Sequence, residues 1–333
     1  MRTEELPMIL FTVIAQMSVG AFWVLGAVHL FAHLRGTRPQ TVDRVSTAAM
    51  FAVGPLLVLG FVAAFFHLGD PFHALNTLRH LGSSWLSREL AGGTAFGTLG
   101  MAFAACEWFG LLSRRLRAVL AALTAAAGLA LVVSMCGVYQ SVRTIPAWHT
   151  PATSVFFVAS TLLTGSLAVG VALLATWTLM ARRRLPGGER LAPLWARLHL
   201  DASEPLTAEV TALTTRVLRG ITLLAALSGI VIMVAYPLHL LTLSNGSPAA
   251  RVVAEHYLGP VLTARLILLA AVVVAAGIFA HVRARTSERP SPALSWMLTG
   301  TLLAAVVSEM LGRALHYEGL VRDGLNTVQY TLG

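Results

Sequence analysis

The chain has 333 residues, of which 56% are hydrophobic and only 12% charged, with a mean hydropathy of +0.74; soluble domains carry about 25% charged residues, so a soluble enzyme is excluded and a polytopic membrane protein is indicated. The net charge of +9 comes entirely from arginine on the basic side, since there is no lysine. These arginines stand between apolar runs and form no basic stripe interleaved with aromatics, which excludes nucleic-acid binding.

A hydrocarbon core takes about 20 apolar residues per helix. The first run, Leu6 to Leu34, is too long for a signal-peptide core and predicts a retained helix. The second, from about Val42 to His67, contains Gly54-Pro55, a predicted kink. The third and fourth run from about Glu89 to Leu112 and Leu116 to Val138, and the fifth from about Thr150 to Met180. A long polar stretch, Ala181 to Arg219, follows. It is rich in arginine and contains Pro186-Gly187-Gly188. The sixth, seventh and eighth run from about Ile221 to Leu243, Leu258 to Val282 and Pro292 to Gly312. The predicted fold is therefore all-α integral membrane, with eight transmembrane helices in two four-helix halves. It is organised as residues 1–181, an Arg-rich connection over 182–219, and residues 220–333.

Sixteen of the 24 arginines fall after the first, third, fifth and seventh helices. By the positive-inside rule those loops are cytoplasmic, and both termini and the loop from His67 to Glu89 face outward. Trp85 and Trp148 then fall at the outer interface, Trp108 and Trp177 at the inner one. Cys106 and Cys136 end consecutive antiparallel helices, which puts the thiols near opposite faces and too far apart to bridge. Two cysteines are also too few for an iron–sulfur cluster, which takes about four thiolates.

Ionisable residues crowd into HLGDPFHALNTLRHLGSSWLSRELAGG, from His67 to Gly93, between two membrane-length runs. Glu89 opens a helix, where an acid is an ordinary dipole partner, and His67 closes one, where a polar group ordinarily meets water. The same pair also suits a proton-coupled site at membrane depth. Gln16, Asn76, Arg79, Tyr139 and Arg143 gather toward the same outer face. Glu309 and Arg313, at i, i+4 on the last helix with Tyr317 beyond, read as a structural ion pair. A haem b would need two axial ligands from different helices at one depth. His67 and His239 both end helices on the outer side, but His239 sits in AYPLHL beside a helix-breaking proline. His29 and His33 are spaced i, i+4 on one helix, and His199 and His281 have no ligand spacing around them. No Walker loop, dinucleotide fingerprint or HExxH is present, and no metal site is predicted.

Four segments carry a resemblance. ELPMILFTVIAQMSVGAF, HLGDPFHALNTLRHLGSSWLSRE, VYQSVRTIPAW and SEMLGRALHY occur in order along the whole chain. They resemble the membrane-anchor subunit of anaerobic dimethyl sulfoxide reductases, with the quinol-oxidising anchors of polysulfide and nitrite reductases as wider relatives. The resemblance implies a subunit in the bacterial cytoplasmic membrane that binds menaquinol near the periplasmic face. It implies no haem and no iron–sulfur cluster in this chain. The electrons would pass to an iron–sulfur subunit and then to a molybdopterin catalytic subunit, both docked on the periplasmic side. By position, His67 and Glu89 match the family's quinol-site histidine and glutamate. Asp70, His73 and the Arg-rich stretch after the fifth helix depart from the pattern. On chemistry, Glu89 would accept a quinol proton and His67 would hydrogen-bond a quinone oxygen. A haem-bearing quinol dehydrogenase anchor and a proton-coupled transporter are the alternatives; a transporter should place its ionisable residues near the midplane on broken helices.

Overall fold

The computed structural model describes residues 6–38, 41–42, 45, 58–59, 76, 79–182, 207–286 and 289–324. All regular structure among them is helical, and there is no strand. Helix α1 spans Leu6–Leu34, α2 Trp85–Trp108, α3 Arg114–Gln140, α4 Pro151–Arg182 and α5 Ala208–Ser244. The short α6, Pro248–Tyr257, precedes α7, Pro260–Val274, which passes through a π-helical turn at Ala275–Ala280 into α8, His281–Thr286. Helix α9 spans Pro292–Glu318.

Among the described residues, six segments are long and apolar enough to cross a membrane: α1, α3, α4 through Thr178, α5, the continuous α7–α8 stretch and α9. Helix α2 is less apolar because it carries Arg88, Glu89 and Glu107. The predicted second helix, with its Gly54-Pro55 kink, and His67 lie outside the described residues.

Side-chain caps account for several helix starts. The hydroxyls of Ser84, Ser113, Thr207 and Ser291 each accept from a backbone N–H three residues on, which satisfies one otherwise unpaired donor. The Thr207 cap, with Glu209 in the first turn, starts α5 within what reads as a polar connection, well before the predicted Ile221. The seventh helix has nearly its predicted bounds, and a short extra helix, α6, fills the predicted loop before it. Leu258 caps α6, and Pro260 opens α7, where its missing N–H is no loss. Helix α9 continues past the predicted Gly312 to Glu318, one and a half turns that prove central to the site.

The helices pack around α4. Gly20 of α1 and Gly165 of α4 lie at a close crossing: a Cβ at Gly20 would sit 1.9 Å from the Thr161 carbonyl oxygen. Small residues that let backbones approach are how helices associate in lipid. One apolar core surrounds α1 with Met135, Phe157 and Leu173, and the other joins α5, α7 and α9 through Ile232, Leu269 and Leu298. At one end of the bundle, Arg219 donates to the carbonyls of Ala284 and Arg285 at 2.9 and 3.2 Å. The start of α5 thus meets the end of α8, and two of the arginine-rich segments share one end. Tyr139, Trp148, His239 and His316 occupy the other.

Candidate functional site

The polar end is built from residues far apart in sequence. Gln16, on α1, lies ten residues into its helix, about 15 Å along it at the helical rise of 1.5 Å per residue. It is 2% exposed, and its amide nitrogen donates to the Phe157 carbonyl at 3.0 Å. Its amide oxygen accepts from Arg313 of α9 at 2.6 Å. The Arg313 guanidinium lies over the Phe157 ring, 3.6 Å from its centroid, a cation–π contact in a dry setting. Arg313 is thus held by an amide and a ring.

Next to it, the hydroxyls of Tyr139 and Tyr317 are 3.1 Å apart and buried. Tyr139 sits edge-on to Trp148 and His316, and Trp148 stacks on His316 while donating to its backbone carbonyl at 2.6 Å. Glu89, in the second turn of α2, is half-buried, and the first residue of that helix, Trp85, lies against Gly137 of α3, two residues before Tyr139. The extra turns of α9 bring Tyr317 to Tyr139 at this end, and α2 opens at Trp85 on the Ser84 cap, one turn before the Glu89 that the sequence placed at its start.

On the other side of α9 lies a second arrangement. Glu309 does not form its ion pair with Arg313, one turn away, as the i, i+4 spacing predicts. Its partner is Arg265 of α7, with Nη2 3.4 Å from Oε1 and side-chain exposures of 3% and 2%. The Ser160 hydroxyl also donates to Glu309, and the Arg265 guanidinium lies 4.7 Å from the centroid of the Tyr236 ring. Helix geometry explains the exchange. Residues four apart share a face, but Arg313 is drawn toward α1 by Gln16, which leaves Glu309 to the cation reaching in from α7. Gly312 makes that reach possible, since a Cβ there would lie 1.0 Å from Arg265 Nη1.

A small, partly open cavity of about 20 Å³ lies beside this pair, walled by Phe156, Ser160, Tyr236, His239, Tyr257, Arg265, Arg313 and His316. His239 Nδ1 lies 3.5 Å from the Thr150 hydroxyl, and its ring meets Phe156 edge-on. Tyr257 is on the short α6 between two spanning segments, and burial pushes its hydroxyl above the usual phenol range. Arg265 Nε and His316 Nε2 are buried and have no hydrogen-bond partner among the described residues.

Of the residues singled out in the sequence, Gln16, Tyr139, Glu89, Glu309 and Arg313 come together here. Asn76, Arg79 and Arg143 are all at exposed positions and are not part of the buried cluster. His67 lies outside the described residues. Sequence reasoning missed Arg265, whose signal was present as a lone cation in the apolar run LTARLILLAAVVV; an ionisable residue in a spanning segment is a site candidate by default. Ser160, Tyr236 and His316 carried no such signal. The polarity also reaches deeper than the helix ends to which the sequence assigned it. Glu309 is nine residues from the end of α9, about 14 Å at the helical rise, and Arg265 five residues from the start of α7, about 8 Å.

This polar end combines amide, phenol, carboxylate and guanidinium groups inside an apolar helix bundle. The family model for the DMSO reductase anchor subunit matches residues 1–320. The chain belongs to this family. It is 34% identical over 164 residues to one chain of the anaerobic dimethyl sulfoxide reductase of Escherichia coli, an alignment covering 49% of this protein and 56% of that one. The corresponding Haemophilus influenzae protein is 36% identical over 171 residues, 51% of this protein and 58% of its own length. One subunit of the sulfite dehydrogenase of Allochromatium vinosum is 32% identical over 125 residues, 34% of this protein and 38% of its own length. The protein thus aligns with somewhat over half the length of the two dimethyl sulfoxide reductase relatives. The family and the six apolar spans together make it a multi-pass membrane protein.

Proposed function

We propose that this anchor binds menaquinol at its outer, periplasmic end in the bacterial cytoplasmic membrane and oxidises it. Two electrons and two protons leave the quinol. The electrons pass to an iron–sulfur partner subunit docked over that end and then to a molybdopterin catalytic subunit. The protons go to groups of this chain. Glu89 is the first acceptor, because it is a half-buried carboxylate one turn from Trp85, which lies against Gly137 at the end of the bundle that holds the Tyr139–Tyr317 pair. His67 supplies a hydrogen bond to a quinone oxygen. The observation that carries the reading is the union, at one end of the bundle, of Glu89 with a buried network that includes Gln16, Arg313 and two phenols. An inert anchor has no use for such a network, since each member is costly to bury unless paired.

Replacing Glu89 by Gln tests it. The amide keeps the shape but cannot accept the proton, so quinol-driven turnover of the complex should fall about 10²–10⁴-fold, the usual worth of a general base. Turnover driven by an artificial donor that bypasses the membrane should persist. Loss of both activities would mean failed assembly, and unchanged quinol turnover would remove Glu89 from the mechanism. The reading also has no haem in this chain, so a dithionite-reduced spectrum of the purified subunit should lack a b-type band.

The burial of the Arg265–Glu309 pair inside the helix bundle favours one other reading, a proton-coupled transporter, because ionisable residues within spanning segments mark ion and proton paths. Quinol turnover that proceeds without any pH change inside sealed vesicles would set it aside.

A further inference from the structure

The cleft beside α9 holds more buried positive charge than the described residues neutralise. Arg265 and Arg313 are 2% and 3% exposed. Among the described residues, Glu309 is the one carboxylate that an ion pair or hydrogen bond ties to either guanidinium. The polar partner of Arg313 is Gln16, which is neutral. Arg265 Nε–H is buried without an acceptor among the described residues, His316 Nε2 is buried without a hydrogen-bond partner among them, and both side chains line the cleft. A desolvated cation without counter-charge is strongly disfavoured, and an unmet donor beside it adds to the cost.

We propose that this cleft binds a small monovalent anion, of halide or formate size, next to Arg265. Such an anion meets both deficits at once: it neutralises the second guanidinium and accepts from the free Nε–H. The site is shaped for it. Gly312 lets the Arg265 guanidinium press against the α9 backbone, where a Cβ would come within 1.0 Å of Nη1. The Tyr236 ring supports the other side, 4.7 Å from the guanidinium carbon. The partly open cleft gives the ion a way in and out. Arg313 connects this site to Gln16, so the bound anion sets the electrostatic background of the neighbouring polar cluster. The inference does not depend on that cluster oxidising quinol.

The test uses the purified complex in detergent, exchanged into sodium gluconate and titrated with chloride, bromide or formate at constant ionic strength. Binding to the folded state raises the thermal midpoint in a saturable way. A halide response without a formate response identifies a halide site, and the reverse a carboxylate site. Arg265→Gln should weaken the apparent affinity at least about tenfold, because it removes the paired charge. Glu309→Gln should tighten it, because it removes the competing carboxylate. No saturable response to any of the three anions in the parent protein overturns the proposal, as does an equal response in Arg265→Gln. If Arg265→Gln does not assemble, Glu309→Gln decides: unchanged or weaker binding rejects the site. Glu89→Gln should keep the anion response even where quinol turnover is lost, which separates the two readings.

Discussion

Arg265→Met and Glu309→Gln, made singly and together, probe the interaction that ties α7 to α9. The two charges are 3.4 Å apart with side-chain exposures of 3% and 2%, so little screening by water applies. At an effective dielectric of about 20, their gross attraction is about 5 kcal/mol. Part of this is offset by the desolvation of both ions. Removing Arg265 alone leaves a buried carboxylate held by the Ser160 hydroxyl, and breaking one side of a buried pair costs about 3–5 kcal/mol. The double variant leaves neither ion unpaired and places an apolar chain against Tyr236, so it should be more stable than Arg265→Met alone. The cycle should show a coupling of about 1–3 kcal/mol, the range for residues in one network. Unfolding of the complex in mixed micelles with increasing SDS, followed by tryptophan fluorescence, measures all four proteins. A single variant within about 0.5 kcal/mol of the parent, or additive single effects, would refute the claim that this pair holds the two helices together.

The phenol pair gives a second prediction. Tyr139→Phe leaves the Tyr317 hydroxyl without its partner at 3.1 Å and should cost about 1–3 kcal/mol, whereas the double Phe variant should be nearer the parent in the same unfolding assay. At the α1–α4 crossing, Gly20→Ala would push a Cβ to 1.9 Å from the Thr161 carbonyl; overpacking of this kind costs about 1–3 kcal/mol, so reduced membrane yield and a lower unfolding midpoint are expected. A cysteine introduced at the exposed Asn76 should react with an impermeant reagent from the periplasmic side only; labelling from the cytoplasm alone would invert the topology and displace the proposed quinol site.

The six apolar spans and the Arg-rich segments at the other end of the bundle were legible from composition, because hydropathy over about 20 residues and the placement of arginine are local properties of the chain. Helix boundaries were less so. The start of α5 depends on the Thr207 cap, a single hydrogen bond within a polar stretch, and the break between α6 and α7 depends on the turn at Leu258–Pro260. Gln16, Tyr139 and Glu89 stood out as polar residues near one face, and the fold does gather them. Which polar group pairs with which was not legible. Spacing along α9 paired Glu309 with Arg313, and only the packing of α7 against Gly312, and of α1 against α4, gave Glu309 to Arg265 and Arg313 to Gln16. Spacing within one helix shows which side chains are able to meet. In a bundle, each buried ion takes the polar partner that helix packing brings within reach, and that partner comes from helices tens to hundreds of residues away, here Arg265 and Gln16 at separations of 44 and 297.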